Sequence, residues 1–443
     1  MSRVCIIGLD CLTPQLVFET FSDHLPNFKR LIERGRWGTL RSVDPPITVP
    51  AWASMMTGQS PGELGIYGFR DRKKYDYSSK RIASSMSVRA PTLWDAASRA
   101  NLDVCVIGVP LTYPAKPIRG KMITGPMTPD DRGGVASYPP ELLDALESST
   151  GKFQFDIQDF RHRPKPELLE ELYQLSHQRF DLTETWLENE PWDLMVMVDM
   201  APDRLHHIFW GDMVDGAKPT DSVIFQFYQH LDQRLGQLTE KLQADDILLI
   251  VSDHGAQTME GGVAINQWLI ERGYLKLNQP VAAGTKLTED IVDWSSTRVW
   301  GSGGYAGRLF FNVSDREPKG IVAPEDVDEL REELADALQS LCKLDGLPMP
   351  IEFINPHEHW KNPRGMPPDA MLYLDELRYR VLGTVGWENH LQHDNDIGRD
   401  GANHQHNGVI IETGGANVRA GGRHDQSLLD VYPKVMGWLG LEN

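Results

Sequence analysis

Four short apolar runs set between helical patterns constrain this chain more than any other feature: Val4–Leu9, residues 104–109, residues 192–199 and Ile247–Val251. Uninterrupted apolar runs of this length suit parallel strands covered on both faces, and their alternation with helices is the pattern of a doubly wound sheet. Three of the runs lead into acids. Asp10 follows the first, Asp203 lies just beyond the third, and Asp253 with His254 follows the fourth. Open α/β sheets bind ligands at the carboxyl ends of their strands, so one edge would gather these residues.

Helical periodicity is expected over residues 13–21, 25–34 (stopped by Gly35), 91–100, 165–188, 222–242 and 427–441. Residues 110–140 are rich in Pro and Gly and read as a long surface excursion. From about 260 to 390 the rhythm loosens, with one clear helix near 327–341 and strand patterns near 308–313 and 371–374. This stretch reads as a cap inserted in the core. The expected organisation is a catalytic α/β core over 1–260, a cap or substrate region over 261–390, and the rest of the core over 391–443.

The 443 residues carry 44 basic and 63 acidic side chains, a net charge of −19, which disfavours a nucleic-acid polymer or an anionic membrane as a non-specific partner. No run approaches the roughly 20 apolar residues of a membrane span. Cys5, Cys11, Cys105 and Cys342 form no CxxC pair or disulfide framework. The expectation is a cytoplasmic protein in a reducing compartment.

Residues 45–58 read Pro-Pro-Ile-Thr-Val-Pro-Ala-Trp-Ala-Ser-Met-Met-Thr-Gly. Two prolines disfavour helix before Thr48, and Pro50 suits a first helical turn. Thr48 would then stand at a helix N-terminus, where free N–H groups and the dipole favour an alkoxide or phosphate. An ordinary Thr cap is the plain alternative. Asp203 and His207, four apart, share one helix face. Carboxylates, imidazoles and a hydroxyl suit zinc or manganese, and no nearby cysteine signals a structural zinc finger. His206 and His406 adjoin these residues and are expected at the surface or behind the ligands.

The chain resembles the alkaline phosphatase superfamily, specifically its type I phosphodiesterase/nucleotide pyrophosphatase branch. The resemblance rests on Ile-Gly-Leu-Asp10, Thr48-Val-Pro-Ala-Trp, Asp203-x-x-x-His207, Ser-Asp253-His254-Gly and His404-x-x-x-Gly408. It implies an alkaline-phosphatase-like, doubly wound, mostly parallel sheet with helices on both faces and an inserted cap. It also implies two divalent cations, zinc first and manganese second. Asp10, Thr48, Asp253 and His254 would hold one, and Asp203, His207 and His404 the other. Thr48 would carry a phosphothreonyl intermediate.

Two departures bear on the substrate. Sulfatases of the superfamily carry Cys or Ser followed by x-Pro-x-Arg, whereas Thr48 precedes Val-Pro-Ala-Trp, so no formylglycine can form. Nucleotide pyrophosphatases place an Asn soon after the nucleophile helix, where this chain has Phe69, leaving Arg70 or backbone to substitute. Trp52, Phe69, Arg70 and Tyr305 are the candidate substrate contacts, with Tyr67 and Trp300 as further stacking rings. The expected partner is a small, nucleotide-like phosphoester. Alternatives are a phosphomonoesterase or phosphonate hydrolase with the same site, a sugar-phosphate mutase, and a catalytically silent metal-binding module.

Overall fold

The computed structural model describes residues 2–129, 135–415, 418 and 420–441. They divide into two compact units. The first comprises residues 1–64, 83–256 and 405–443, and the second residues 65–82 and 257–404. The second unit thus takes in a short early segment beside the region expected as an insertion over 261–390.

The centre of the first unit is the strand Val4–Leu9, every residue of which is buried. Its β-branched and sulfur side chains pack on both faces, as a strand with parallel neighbours requires. It pairs in parallel with Leu194–Asp199 on one side and Ile247–Val251 on the other. Val104–Ile107 and Gly120–Ile123 continue the parallel order beyond Leu194–Asp199. On the other flank Asn407–Gly414 runs antiparallel to Ile247–Val251, and Arg36–Arg41 antiparallel to Asn407–Gly414. Among the described residues this sheet has ten strands.

The helices expected from periodicity lie at Pro26–Arg34, Leu93–Arg99, Lys165–Asn189, Val223–Thr239 and Val431–Trp438. Ser222 caps the fourth of these, its hydroxyl accepting the Phe225 N–H at 3.2 Å. Two expectations change. The turn over 13–21 is a π-helix at Leu16–Thr20, where the Phe21 N–H reaches the Leu16 carbonyl at 2.9 Å. The stretch over 110–140 is not wholly an excursion, because Gly120–Ile123 and Ser137–Tyr138 extend the sheet. Gly120 has φ +133°, and a Cβ there would sit 1.9 Å from the Val104 carbonyl oxygen. A glycine demanded by close strand approach looks, in sequence, like a loop residue.

The second unit is built on its own sheet. Strands Val299–Ser302, Gly307–Phe311, Ala370–Leu374, Tyr379–Leu382, Gly261–Ala264 and Leu391–Gln392 follow one another, with Ile351–Ile354 beside Ala370–Leu374. Trp268, Leu309, Phe311 and Leu334 fill its core, the last from the helix Val327–Leu338. Trp300 belongs to that core and Tyr67 is 1% exposed, so both are packing residues rather than stacking surfaces. Among the described residues no helix is long and apolar enough to cross a membrane.

Candidate active site

Parallel register fixes the first part of the site. Gly8 stands opposite Val251, so Asp10 and Asp253 each lie two residues beyond the same rung. Leu9 stands opposite Asp199, after which the chain turns into the helix Ala201–Val214 and carries Asp203 in its first turn. Three acids from three strand ends therefore meet, and each is 1% exposed or less.

Thr48 is the first residue of the helix Thr48–Thr57, and Ile47 before it is extended at φ −124°. Ile47, not Thr48, is the N-cap, so Thr48 is not the ordinary Thr cap of the plain alternative. Its Oγ1 instead lies 3.4 Å from Nε2 of His254, in surroundings where Thr48 is 2% exposed. Pro50 occupies the third helical position, where a missing N–H leaves no intrahelical bond unmade.

Trp52 stands one turn further along that helix and is fully buried. Its Nε1 donates to Oδ2 of Asp10 at 2.7 Å. A Cβ on Gly8 would sit 2.3 Å from the Trp52 ring, so the glycine in Ile-Gly-Leu-Asp makes room for the indole that holds the acid. The expectation that Trp52 lines the substrate is corrected: a ring with no exposed face cannot stack on a ligand, and its work is to orient Asp10.

The remaining donors converge without satisfying one another. Oδ1 of Asp253 accepts the Cys11 N–H at 3.2 Å, whereas its Oδ2 stands 3.1 Å from Nε2 of His254 without forming a hydrogen bond. Oδ1 of Asp10, 3.9 Å from the same nitrogen, is buried and also accepts nothing. Burial foremost, then Asp253 and Asp203, pushes the Asp10 carboxyl well above the usual carboxylate range. Burial raises Asp253 likewise, against the Cys11 N–H and with Asp203 adding. Buried acids with unpartnered oxygens are the surroundings a cation would relieve, and carboxylate, imidazole and hydroxyl donors fit zinc or manganese.

On the neighbouring helix Oδ1 of Asp203 lies 3.4 Å from Nε2 of His207. Arg204 bonds the other oxygen of Asp203 and forms a two-point pair with Asp156 at 3.0 and 2.8 Å. Neither Asp156 nor Arg204 was singled out in the sequence; an Arg directly after a candidate ligand was the available signal. Cys11 was missed too, and the expectation of no cysteine near the site is corrected. Its thiol sulfur, an oxygen of Asp203 and a nitrogen of His254 all lie within 4.8 Å of one another.

His206 is fully buried, not at the surface, and bonds the Tyr228 hydroxyl at 3.1 Å. That hydroxyl accepts the Thr13 N–H at 3.3 Å, just after the Asp10–Cys11 turn. His406 is half-buried and bonds Asp44, just ahead of the Thr48 segment, at 3.1 Å. The other predicted residues belong to the second unit. His404 is buried on the strand Ala402–Gln405, its ring stacked on Tyr305 at 3.6 Å. The Arg380 guanidinium lies 4.4 Å from the Tyr305 ring centre, so that ring is already engaged by protein. Phe69 is half-buried, and Arg70 is exposed at the start of the strand Arg70–Arg72.

Acids, imidazoles and one hydroxyl crowded at buried strand ends suit a hydrolase that handles phosphoryl groups with the help of cations. Comparison turns that class into a family. A model of type I phosphodiesterase / nucleotide pyrophosphatase matches residues 4–402, and the chain belongs to that family. It is accordingly a hydrolase of phosphoester or phosphoanhydride bonds in a metal-dependent family. Its fold is similar to that of human ectonucleotide pyrophosphatase / phosphodiesterase 5, at 14% identity and a TM-score of 0.57 over 99% of this chain and 95% of that one. No curated protein sequence matches the chain.

Proposed function

We propose that the protein cleaves a small, nucleotide-like phosphodiester or pyrophosphate through a phosphothreonyl intermediate on Thr48. Asp10, Thr48, Asp253 and His254 would hold one divalent cation, and Asp203, His207 and His404 a second, zinc before manganese. Such cations supply Lewis acidity at phosphoryl oxygens. The observation that carries the reading is the meeting of the Thr48 hydroxyl with His254 beside two buried carboxylate oxygens that accept no hydrogen bond.

The residues' own tasks follow from their places. Thr48 gives its hydroxyl proton to solvent and its Oγ1 attacks phosphorus as the bond to the leaving oxygen breaks, that oxygen departing as the anion or taking a proton from water, while the free N–H groups of the first helical turn favour the charge that develops. Water then cleaves the phosphothreonyl bond and returns the hydroxyl, so two inversions leave net retention at phosphorus. Trp52 and the Cys11 N–H keep Asp10 and Asp253 oriented throughout. A cytoplasmic location is part of the same reading, supported by four free cysteines, three of them buried; recovery of the protein in an exported fraction would oppose it.

Thr48→Ala should lower hydrolysis of bis(p-nitrophenyl) phosphate by roughly 10³-fold or more, with metal content near that of the unaltered protein. An active variant would remove Thr48 from the mechanism. Rates on a diester, a nucleotide pyrophosphate, an aryl monoester and a phosphonate, measured side by side, test the substrate class. A monoester or phosphonate hydrolysed fastest would favour the corresponding alternative, and a zinc-loaded protein inert to all four would favour a silent binding module.

A further inference from the structure

Cys11 follows Asp10 directly and is 1% exposed. Its backbone adopts φ +62°, the left-handed region that glycine or asparagine enters with less strain. A non-glycine residue held there is strained, and such outliers cluster where the side chain or backbone has a task. The backbone task is visible, since the Cys11 N–H donates to Asp253. Glycine would perform it without the strain. The side chain needs its own account.

The thiol lies close to one member of each proposed donor set. Its sulfur shares a neighbourhood of 4.8 Å with an oxygen of Asp203 on the helix Ala201–Val214 and a nitrogen of His254 beyond the strand Ile247–Val251. Close by, Oδ2 of Asp253 is fully buried and accepts no hydrogen bond, although His254 stands 3.1 Å away. Sulfur, carboxylate and imidazole donors with an unsatisfied buried oxygen beside them are a cation's surroundings. The thiol also hydrogen-bonds Asp203, a contact that holds its sulfur among these donors and that an apolar side chain would not make.

We propose that Cys11 is itself a metal-binding residue, a thiolate donor at the junction of the two cation positions that gives the site a preference for zinc over harder ions. The assignment rests on the bimetallic reading above. On binding, the sulfur–hydrogen bond is replaced by a sulfur–metal bond, the proton leaves to solvent, and no oxidant or reductant takes part. Soft thiolate ligands select zinc over magnesium, calcium or manganese, which carboxylate and water ligands suit.

Zinc-edge X-ray absorption on the full-length protein loaded with zinc alone provides the test. A sulfur shell at about 2.3 Å is expected, against about 2.0 Å for nitrogen and oxygen donors. Cobalt(II) loaded in place of zinc should show a near-ultraviolet sulfur-to-metal band that Cys11→Ser loses and Cys342→Ser, at an exposed thiol, retains. Two bound zinc ions with only nitrogen and oxygen neighbours would overturn the role of Cys11 while leaving the bimetallic reading intact. A folded protein that binds no zinc would overturn both. If Cys11→Ser fails to fold, the absorption spectrum of the unaltered protein decides alone.

Discussion

The two units differ in where their unsatisfied buried acids gather. In the second unit three buried acids are matched, Asp369 with Arg316 at 2.7 Å, Glu317 with Arg72 at 2.9 Å and Asp400 with Arg380 at 3.1 Å, while a single oxygen of Asp375 accepts no hydrogen bond among the described residues. In the first unit Asp10 and Asp253 each keep a buried oxygen that accepts nothing among the described residues. Topology explains the contrast. Parallel strands all end on one edge, so their terminal acids accumulate there, whereas the mostly antiparallel second sheet sends successive strand ends to opposite edges. Matched acids stabilise a fold; unmatched ones mark where something else is to bind.

The sharpest way to break this contrast is to neutralise one acid in each unit. Asp369→Asn takes away the two-point partner of Arg316, which keeps Glu317, and should destabilise the protein by about 1 to 2 kcal/mol, read from denaturant unfolding. Asp253→Asn in metal-free protein should cost little or stabilise slightly, because it removes a carboxyl whose charged form burial disfavours. The same variant should abolish turnover. Equal losses of stability for the two substitutions would end the comparison.

The pH dependence of stability sharpens it. Burial, opposed by Arg308, pushes Asp71 in the second unit up to about 6. The unfolded chain loses that proton near pH 4, so between about 4 and 6 the folded state binds more protons and stability falls as pH rises, by up to about 3 kcal/mol. His230 in the first unit moves the other way. Burial, then His177 and Arg234, lowers it to about 4 from 6.5. Between those values the unfolded chain holds the extra proton, and its contribution to stability grows as pH rises. Unfolding free energies across pH 4–7 for Asp71→Asn and His230→Gln should separate the two slopes.

A smaller effect is expected of Trp52→Phe, which keeps the packing against Gly8 but removes the donor to Asp10. Partners that orient a ligand typically contribute roughly 10- to 100-fold to metal affinity or activity. Zinc titration against a competing chelator should find a loss in that range with the unfolding midpoint little changed.

Much of this was open to reading in the chain itself. Continuous apolar runs mark the parallel strands because a strand covered on both faces leaves no position for a polar side chain. The acids beyond those runs, and the prolines around Thr48, likewise follow from local rules about strand ends and helix starts. Other features have no local signature. Trp52 looks like any aromatic in an apolar helix, and only the space above Gly8 shows that its indole reaches Asp10. Nor do the loop-interrupted segments after residue 260 announce the second sheet, seven-stranded among the described residues, since pairings such as Gly261–Ala264 with Tyr379–Leu382 and Gly307–Phe311 with Ala370–Leu374 join strands far apart in the chain. Cys11 sits beside Asp10 in the sequence, yet its closeness to Asp203 and His254 depends on a turn in left-handed conformation between strands some 190 and 240 residues apart. Periodicity and turn chemistry act over a few residues and can be read in order; which side chains share a buried space is decided by register and packing, which only the folded chain possesses.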